Sequence, residues 1–336
     1  MVCVEGVTVF AKAIESIFEN HCTPAAVRAI ESGAGIQPLA SAIAEAGFYE
    51  LLAPEINGGG GANWSEFHDV VGLCGAYAVP LPIAQTMASR IIVDDLSQLP
   101  PGLITYAPTL LRGMDGSFHA PNVPAAQVAT HVIAVDADAL VLLPVSDADQ
   151  QPSGIHGNLA LSLHWKSDAA QVLESRLAID DFHALGALLH AGLLAGAMKR
   201  VFTMTMRYAN DRVQFGKSIG KFQAIQHQLS VMAENVAAAG MAAEAAFGTT
   251  SSRPARPACA IAKARTSEAA QLVAAIAHAV HGAIGVTEEY DLQLYTRRLH
   301  EWRLAHGSET YWHRVLGRLF VQSREPLAVD FVRSLC

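Results

Sequence analysis

The chain has 336 residues, 51% of them hydrophobic and only 16% charged, so it can fold into a globular protein of two or three sub-domains. Its net charge of −8 argues against a general nucleic-acid surface, which needs a basic face to neutralise phosphates. The five dispersed cysteines are typical of a reducing compartment, and we find no secretory signal and no stretch suited to crossing a bilayer. We therefore expect a cytoplasmic protein with no nucleic-acid partner and no membrane span.

The first part of the chain, residues 1–98, is predicted to be an N-terminal helical domain. Thr23, followed by proline, is an N-cap signal, and Gly47 is a C-cap signal. The four successive glycines at 58–61 predict a flexible loop, after which Ser65 is expected to restart a helix.

The rest of the chain changes character twice. Residues 99–178 contain many prolines between short runs (VATHVIAV, ALVLLPV and LALSLHW) that predict the strands of a small antiparallel sheet. Residues 179–336 return to long helices with short connections, which predict a C-terminal four-helix bundle. The expected fold class is mainly α, with a small and shortened middle β domain.

The most specific stretch is RYANDRVQFGKSIGKFQAIQHQLSVM, residues 207–232. It resembles the acyl-CoA dehydrogenase signature, in which a helix ends with tyrosine and is followed by Arg-x-x-Phe-Gly-Lys and a helix that starts Phe-Gln-x-x-Gln. The matching positions are Tyr208, Arg212, Phe215, Gly216, Lys217, Phe222, Gln223 and Gln226. The alternative is a surface turn with scattered charge before an amphipathic helix.

The resemblance implies a cofactor role for this stretch. In the family, the arginine reaches the pyrophosphate of FAD bound mainly by the neighbouring subunit, and the phenylalanine packs against the cofactor. Arg212, Gln214 and Phe215 are therefore expected to bind FAD across a dimer interface. A planar, permanently charged guanidinium suits bidentate phosphate contact. Alternatively, Arg212 is only a cation that stabilises the carboxyl end of its helix.

A second segment, AVHGAIGVTEEYDLQLYTRRL, resembles the family's Gln-x-His-Gly-Gly-x-Gly turn. It keeps His281, Gly282 and Gly285, but the glutamine is replaced by Ala279 and the second glycine by Ala283. The resemblance implies that this turn lies near the adenylate end of FAD, where glycines let the backbone approach the cofactor. The alternative is a simple C-cap that ends an alanine-rich helix.

The catalytic base of the family is not found. Dehydrogenation requires a base for the α-proton while the β-hydrogen leaves as hydride to the flavin. In most relatives the base is the glutamate of Glu-Gly-Thr, and counting along the chain places His306, Gly307 and Ser308 there. Some relatives place the glutamate near the start of the first bundle helix instead. The corresponding position in this chain is close to Ala187, and no acidic residue lies within three residues of it. His306 is thus the candidate catalytic residue, Glu309 is a second candidate, and Ser308 is an implied cofactor contact.

The middle region also departs from the family. It lacks the Thr-Glu-Pro-x-x-Gly-Ser-Asp stretch that holds the flavin and the thioester in relatives, although Trp165 is a candidate remnant of the nearby tryptophan strand. A third match, LAPEINGG, resembles the loop that shapes the acyl-chain side of the pocket. The many histidines have no accompanying carboxylate or thiolate set, so no metal site is expected.

The resemblance implies an FAD-dependent oxidoreductase acting on an acyl-CoA thioester, in fatty acid or steroid side-chain catabolism. Our leading hypothesis is a base-lacking subunit of a dimer or tetramer. Its partner in the assembly is a homologous subunit, a second copy of itself, or both. The assembly passes its electrons to an electron-transfer acceptor. One alternative is a self-sufficient homo-oligomeric flavoenzyme that uses His306. Another is a non-catalytic scaffold that binds no flavin.

Overall fold

The computed structural model describes residues 8–154, 157–175, 177–249 and 253–333. Both ends of the chain, with Cys3 and Cys336, lie outside the described residues. Helices come first, strands follow, and helices return after them, which is the order of the predicted fold class.

The secondary structure in the described ranges is as follows. The helices are α1 (Val9–His21), α2 (Pro24–Glu31), α3 (Gln37–Glu45), α4 (Trp64–Ala76), α5 (Ile83–Ser89), α6 (Ile179–Asp211), α7 (Gln223–Phe247), α8 (Arg256–His281), α9 (Leu292–Leu304), α10 (Glu309–Gln322) and α11 (Ala328–Arg333). The strands are β1 (Ile104–Tyr106), β2 (Leu111–Arg112), β3 (Phe118–Val123), β4 (His131–Asp136), β5 (Ala139–Pro144), β6 (Asp149–Pro152), β7 (Leu161–Trp165), β8 (Gln171–Val172), β9 (Val213–Gln214) and β10 (Lys217–Ser218).

The chain forms two compact units. The first comprises Met1–Leu73 and Val79–Gly186, and the second comprises Cys74–Ala78 and Ala187–Cys336. The division into three domains at residues 98 and 178 stays a prediction.

The helices of the first unit begin where the sequence supplies caps. The Thr23 hydroxyl accepts the backbone N–H of Ala26 at 3.2 Å and caps α2, as predicted. Helix α4 begins differently, because Asn63 and Glu66 form a reciprocal capping box with both hydrogen bonds at 2.9 Å. Asn63, rather than the predicted Ser65, therefore caps this helix.

The glycine-rich loop at 58–61 is held by backbone hydrogen bonds. The N–H of Gly59 donates to the carbonyl of Pro54 at 3.2 Å, and that of Gly61 donates to Ala53 at 3.0 Å. These bonds fix the loop against the segment before it, in contrast to the flexible loop that its composition predicted.

The strands of the first unit form two four-stranded sheets. Their strand orders are β1-β4-β5-β8 and β2-β3-β7-β6. The strands predicted from the three short runs are β4, β5 and β7, but β1 pairs parallel with β4, so the expected single antiparallel sheet is two sheets with one parallel pair. Alternate residues from both sheets share one core, because side chains point to opposite faces along a strand. Among them are Phe118, Ala120, Val132, Ala134, Val141, Leu143, Leu161, Leu163 and Trp165.

In the second unit, α8 packs against α7, α9 and α10. Alanine makes up much of the buried face of α8, and its small side chain lets neighbouring helices approach closely. The sequence had predicted four helices, whereas α9 adds a fifth long one in the described part of this unit. An Arg298–Glu301 ion pair at 2.9 Å, three residues apart, supports α9.

Two helical stretches, Ile179–Asp211 and Arg256–Val286, are long and apolar enough to cross a membrane. Their most apolar windows are 72% and 50% buried inside the protein. Because core helices of globular proteins pass the same test, this finding is weak evidence for a membrane span, and the predicted absence of one stays a prediction.

Candidate functional site

The first group of candidate residues lies on a short hairpin after α6. Strands β9 and β10 pair antiparallel, and the two residues between them, Phe215 and Gly216, both have positive φ, 51° and 78°. Two positive φ values are what a type I′ hairpin turn requires, but they are unusual for a bulky residue such as Phe215. The Phe215 side chain is 92% exposed. A strained backbone that presents an exposed aromatic ring indicates a functional surface.

The backbone of Arg212 is fixed while its side chain projects to solvent. Its N–H donates to the carbonyl of Tyr208 at 2.9 Å, and its own carbonyl accepts from Ile219 at 2.8 Å. The guanidinium is exposed, and within the described ranges no hydrogen bond or ion pair engages it. Gln214, on β9, is also exposed. The hairpin thus presents a cation, an amide and an aromatic ring together.

Tyr208 connects this hairpin to the second group of candidates. Its ring stacks on His281 with a centroid distance of 4.4 Å, and its hydroxyl donates to the His281 carbonyl at 3.3 Å. Nδ1 of His281 lies 2.8 Å from the carbonyl of Ala277, so this nitrogen is assigned the proton. The buried Nε2 is then an acceptor without a hydrogen bond to any described residue. Desolvation by burial lowers the pKa of His281; the hydrogen bond to the Ala277 carbonyl partly offsets this lowering, and the charge of His278 adds a smaller one.

The turn after His281 is closely packed. Gly282 has φ of 64° and begins a 3-10 turn that runs to Val286. Gly285 is buried, and a Cβ there would lie 3.0 Å from His281 Cβ and 3.3 Å from His278 Nδ1. A side chain at 285 would therefore have to displace its neighbours slightly, whereas Gly282 is exposed at the surface of the turn.

The third group lies in the turn between α9 and α10, at residues 305–308. His306 has φ of 52° and is only 1% exposed, with its ring 5.2 Å from that of His190. Its carbonyl accepts the indole N–H of Trp312 at 2.9 Å. Ser308 precedes α10, but its side chain makes no capping hydrogen bond. The candidate base thus contacts a second buried histidine inside the protein.

Glu309, the other candidate base, is engaged in an ion pair with Arg303. Burial acts to raise the pKa of Glu309, but the hydrogen bond from Arg303 and the charges of Arg303 and Lys263 lower it overall. The carboxylate is therefore ionised and held, which is a structural role across the turn.

His190 is a residue that our sequence analysis missed. It lies on α6 three residues after Ala187, where we searched only for an acid. The available signal was a histidine in an otherwise apolar helical stretch. Its contact with His306 could not be predicted, because it joins residues 116 positions apart in the chain.

The three groups are not gathered at one place. Tyr208 and His190 both lie on α6, 18 residues apart, and at 1.5 Å per residue this is about 27 Å along the helix. The hairpin and the 281–285 turn lie at the Tyr208 end of this stretch, and His306 lies at His190.

Comparison with known proteins identifies the family. The family model for the acyl-CoA dehydrogenase C-terminal domain matches residues 178–318. Acyl-CoA dehydrogenase IpdE2 of Mycolicibacterium smegmatis is 29% identical over 303 residues, which cover 86% of this chain and 90% of that protein. Residues 178–318 thus match the acyl-CoA dehydrogenase family, and most of the chain is similar to one of its members. Its relatives are flavin-dependent oxidoreductases, which confirms the predicted enzyme class.

Solved acyl-CoA dehydrogenases share the fold over nearly the whole chain. The ChsE4-ChsE5 complex from Mycobacterium tuberculosis matches with a TM-score of 0.81 and 18% identity, covering 96% of this chain and 99% of the matched chain. Butyryl-CoA dehydrogenase from Megasphaera elsdenii matches with a TM-score of 0.76 and 18% identity, covering 94% and 99%. The predicted fold class is confirmed.

The residues of this chain fit FAD, the cofactor of the family, unevenly. The exposed Arg212 and Phe215 suit a phosphate and an aromatic ring system, and the His281 Nε2 is a buried acceptor that lacks a hydrogen-bond partner in the described chain. Trp165 does not fit a flavin contact, because it is buried in the sheet core and its indole N–H donates to the Pro144 carbonyl at 2.7 Å. The fit therefore lies in the helical unit.

Proposed function

We propose that this chain is the base-lacking subunit of a heteromeric, FAD-dependent acyl-CoA dehydrogenase. It lends the 212–215 hairpin to FAD that a homologous subunit holds, and that subunit supplies the base. Together the subunits would introduce an α,β double bond into an acyl-CoA thioester.

The single observation that carries this proposal is the separation along α6. The hairpin that suits the cofactor and the turn that occupies the family's base position contact α6 at Tyr208 and His190, about 27 Å apart. A general base must come within hydrogen-bond reach of the proton it removes, so the hairpin and the turn at His306 cannot both lie beside one reacting carbon. Each group is then expected to face a different active site in an assembly.

The condition of the candidate bases supports the same view. His306 is buried against His190, and Glu309 is paired with Arg303. His306 is a buried imidazole and not a carboxylate, and the carboxylate of Glu309 is already held by Arg303. The partner would therefore provide the carboxylate that takes the α-proton.

The hairpin residues would act on the partner's cofactor by charge and contact. Arg212 would bind the pyrophosphate with paired N–H donors, and Phe215 would cover an apolar edge of the cofactor and exclude water. The 281–285 turn would lie beside the adenylate. Bound FAD would supply the hydride acceptor for the reaction.

The substrate we propose is a bulky acyl-CoA, such as the CoA thioester of a steroid side chain. One solved neighbour is the steroid acyl-CoA dehydrogenase Tcur3481-Tcur3483, which matches 94% of this chain with a TM-score of 0.74 and 20% identity. Electrons would leave the complex for an electron-transfer acceptor. These assignments rest on likeness of fold and family.

Co-expression with a homologous, glutamate-bearing subunit tests the proposal. We expect this chain alone to purify without flavin, and the co-purified complex to be yellow and to bleach when a bulky acyl-CoA is added. Replacing the partner's glutamate with glutamine should abolish bleaching while FAD remains bound. Stoichiometric flavin and turnover in this chain alone would contradict the proposal.

A second candidate is a homo-oligomeric enzyme in which His306 is the base. The ring contact between His306 and His190 favours it, because a second imidazole can pass a proton onward. His306→Ala separates the two functions. It should leave the heteromer's turnover unchanged under our proposal and abolish turnover under this alternative.

A further inference from the structure

Lys263 is a buried lysine that none of the motifs above includes. It lies on α8 with 0% of its surface exposed. A buried ammonium is costly unless hydrogen bonds replace its water, so a lysine that is retained here needs strong partners.

Three acceptors surround its Nζ. The Ser267 hydroxyl oxygen lies at 2.9 Å, the Trp302 carbonyl at 2.7 Å and the Arg303 carbonyl at 2.8 Å. The Ser267 hydroxyl also lies 3.3 Å from the Arg303 carbonyl and donates to it, which leaves its oxygen as an acceptor toward Lys263. An ammonium has three donors and no acceptor, so this set satisfies it completely.

The two carbonyls belong to the last turn of α9, where the helix cannot supply N–H partners itself. A cation at a helix carboxyl end also interacts favourably with the helix dipole. Lys263 therefore caps α9 from a neighbouring helix.

The geometry favours the charged form against the effect of burial. Burial by itself drives the pKa of Lys263 well below that of an ordinary lysine; the Glu309 carboxylate acts to raise the pKa, and the charge of Arg303 acts to lower it. A neutral amine would direct its lone pair at one of the three acceptors. The three short contacts and the helix end compensate for the lost hydration.

The chain enters the 305–308 turn directly after this cap. His306 and Gly307 both have positive φ, 52° and 95°, so the turn adopts a backbone that few residues favour. The Trp312 indole fixes it from α10 by donating to the His306 carbonyl at 2.9 Å. The Arg303–Glu309 ion pair joins α9 to α10 across the turn, and Lys263 binds the last carbonyls of α9.

We propose that Lys263 is a positioning residue that fixes the carboxyl end of α9 and thereby holds the side chain at 306 against His190. This placement does not depend on the proposed function. Only an effect of Lys263 on the turnover of a heteromer would rest on the proposed function.

The test is the NMR spectrum of histidine rings in Lys263→Met, a substitution that keeps an unbranched side chain, one atom shorter, and removes the charge and the donors. We expect the ring signals of His306 and His190, assigned by single substitutions, to move, while Lys199→Met, an exposed lysine on α6, leaves them in place. Unchanged His306 and His190 signals in a folded Lys263→Met protein would overturn the proposal.

A measurement on the unsubstituted chain covers the case in which Lys263→Met does not fold. Nitrogen-15 NMR of the lysine side chains should show one protected ammonium at neutral pH, with slow hydrogen exchange. A neutral Lys263 amine would overturn the proposal. Both measurements use the isolated chain, so a heteromer that fails to form would count against the proposed function and leave this inference standing.

Discussion

Tyr208 stacks on His281 at 4.4 Å and donates its hydroxyl to the carbonyl of the same residue at 3.3 Å. This contact joins two motifs that are 73 positions apart in the chain. It places the helix turn that precedes Arg212 against the glycine-containing turn at 282–285, so the two predicted cofactor segments form one surface.

The first prediction concerns this junction. Tyr208→Phe should lower the free energy of unfolding by about 1 kcal/mol, because it removes one hydrogen bond and keeps the stack. Tyr208→Ala should lower it by about 3 kcal/mol, since the ring contacts are lost too. Chemical denaturation measures both. Equal losses for the two variants would show that the stack contributes nothing.

Arg212→Ala should weaken FAD binding by the heteromer about 10-fold to 100-fold, the loss expected for a charged hydrogen bond to phosphate. Fluorescence titration of the deflavinated complex with FAD measures this. Arg207→Ala is the matched control, because Arg207 is exposed on α6 five residues before Arg212 and forms a 3.6 Å ion pair with Asp211. An equal loss in both variants would indicate a general charge effect.

Phe215→Ala should change the stability of the isolated chain by less than about 0.5 kcal/mol, because the ring is 92% exposed. The same variant should lower the flavin content of the heteromer. Comparing thermal unfolding of the chain with the absorbance of the complex separates the two effects. A large loss of stability in the isolated chain would mean that the ring serves folding instead.

Gly307→Ala should destabilise the chain by about 2–4 kcal/mol. Its φ is 95°, and a Cβ would lie 2.7 Å from Tyr311 Cδ1 and 2.8 Å from Trp312 Nε1. Gly317→Ala, in α10, is the control, because nothing lies within 4 Å of the added methyl. That control should stabilise the chain by about 0.5–1 kcal/mol. Urea unfolding measures both, and similar effects would contradict the assigned turn geometry.

Stability should fall as the pH drops below about 6.5, the pKa of an unperturbed histidine. Desolvation lowers the pKa of His278, His281 and His300 in the folded chain. In the window between the lowered and the ordinary pKa, the unfolded chain binds protons that the folded chain does not, so acid favours unfolding. His281→Phe should therefore show a weaker loss than the unsubstituted chain between pH 7.5 and pH 5. Identical pH dependence of the unfolding free energy would refute this assignment.

Local sequence patterns predicted helices and strands well where neighbouring residues alone determine the structure. The Thr23 cap and strands β4, β5 and β7 follow from neighbouring residues, and so does the long helix α6. Prediction was weaker for α9, which our sequence analysis did not assign although Leu292, Tyr295 and Leu299 follow helical spacing. The carboxyl end of α9 is capped by Lys263 from another helix, which no local pattern shows. Composition also misjudged the glycines at 58–61, because their backbone hydrogen bonds depend on the preceding segment.

The sequence by itself indicated the family, through the motif from Tyr208 to Gln226, and showed that residue 306, at the expected position of the base, is histidine and not glutamate. These conclusions depend only on residue identity and spacing. The tertiary structure alone decided that His306 contacts His190, that Tyr208 contacts His281, and that these contacts lie about 27 Å apart on α6. Such contacts join distant parts of the chain, and helix packing rather than local pattern brings them together.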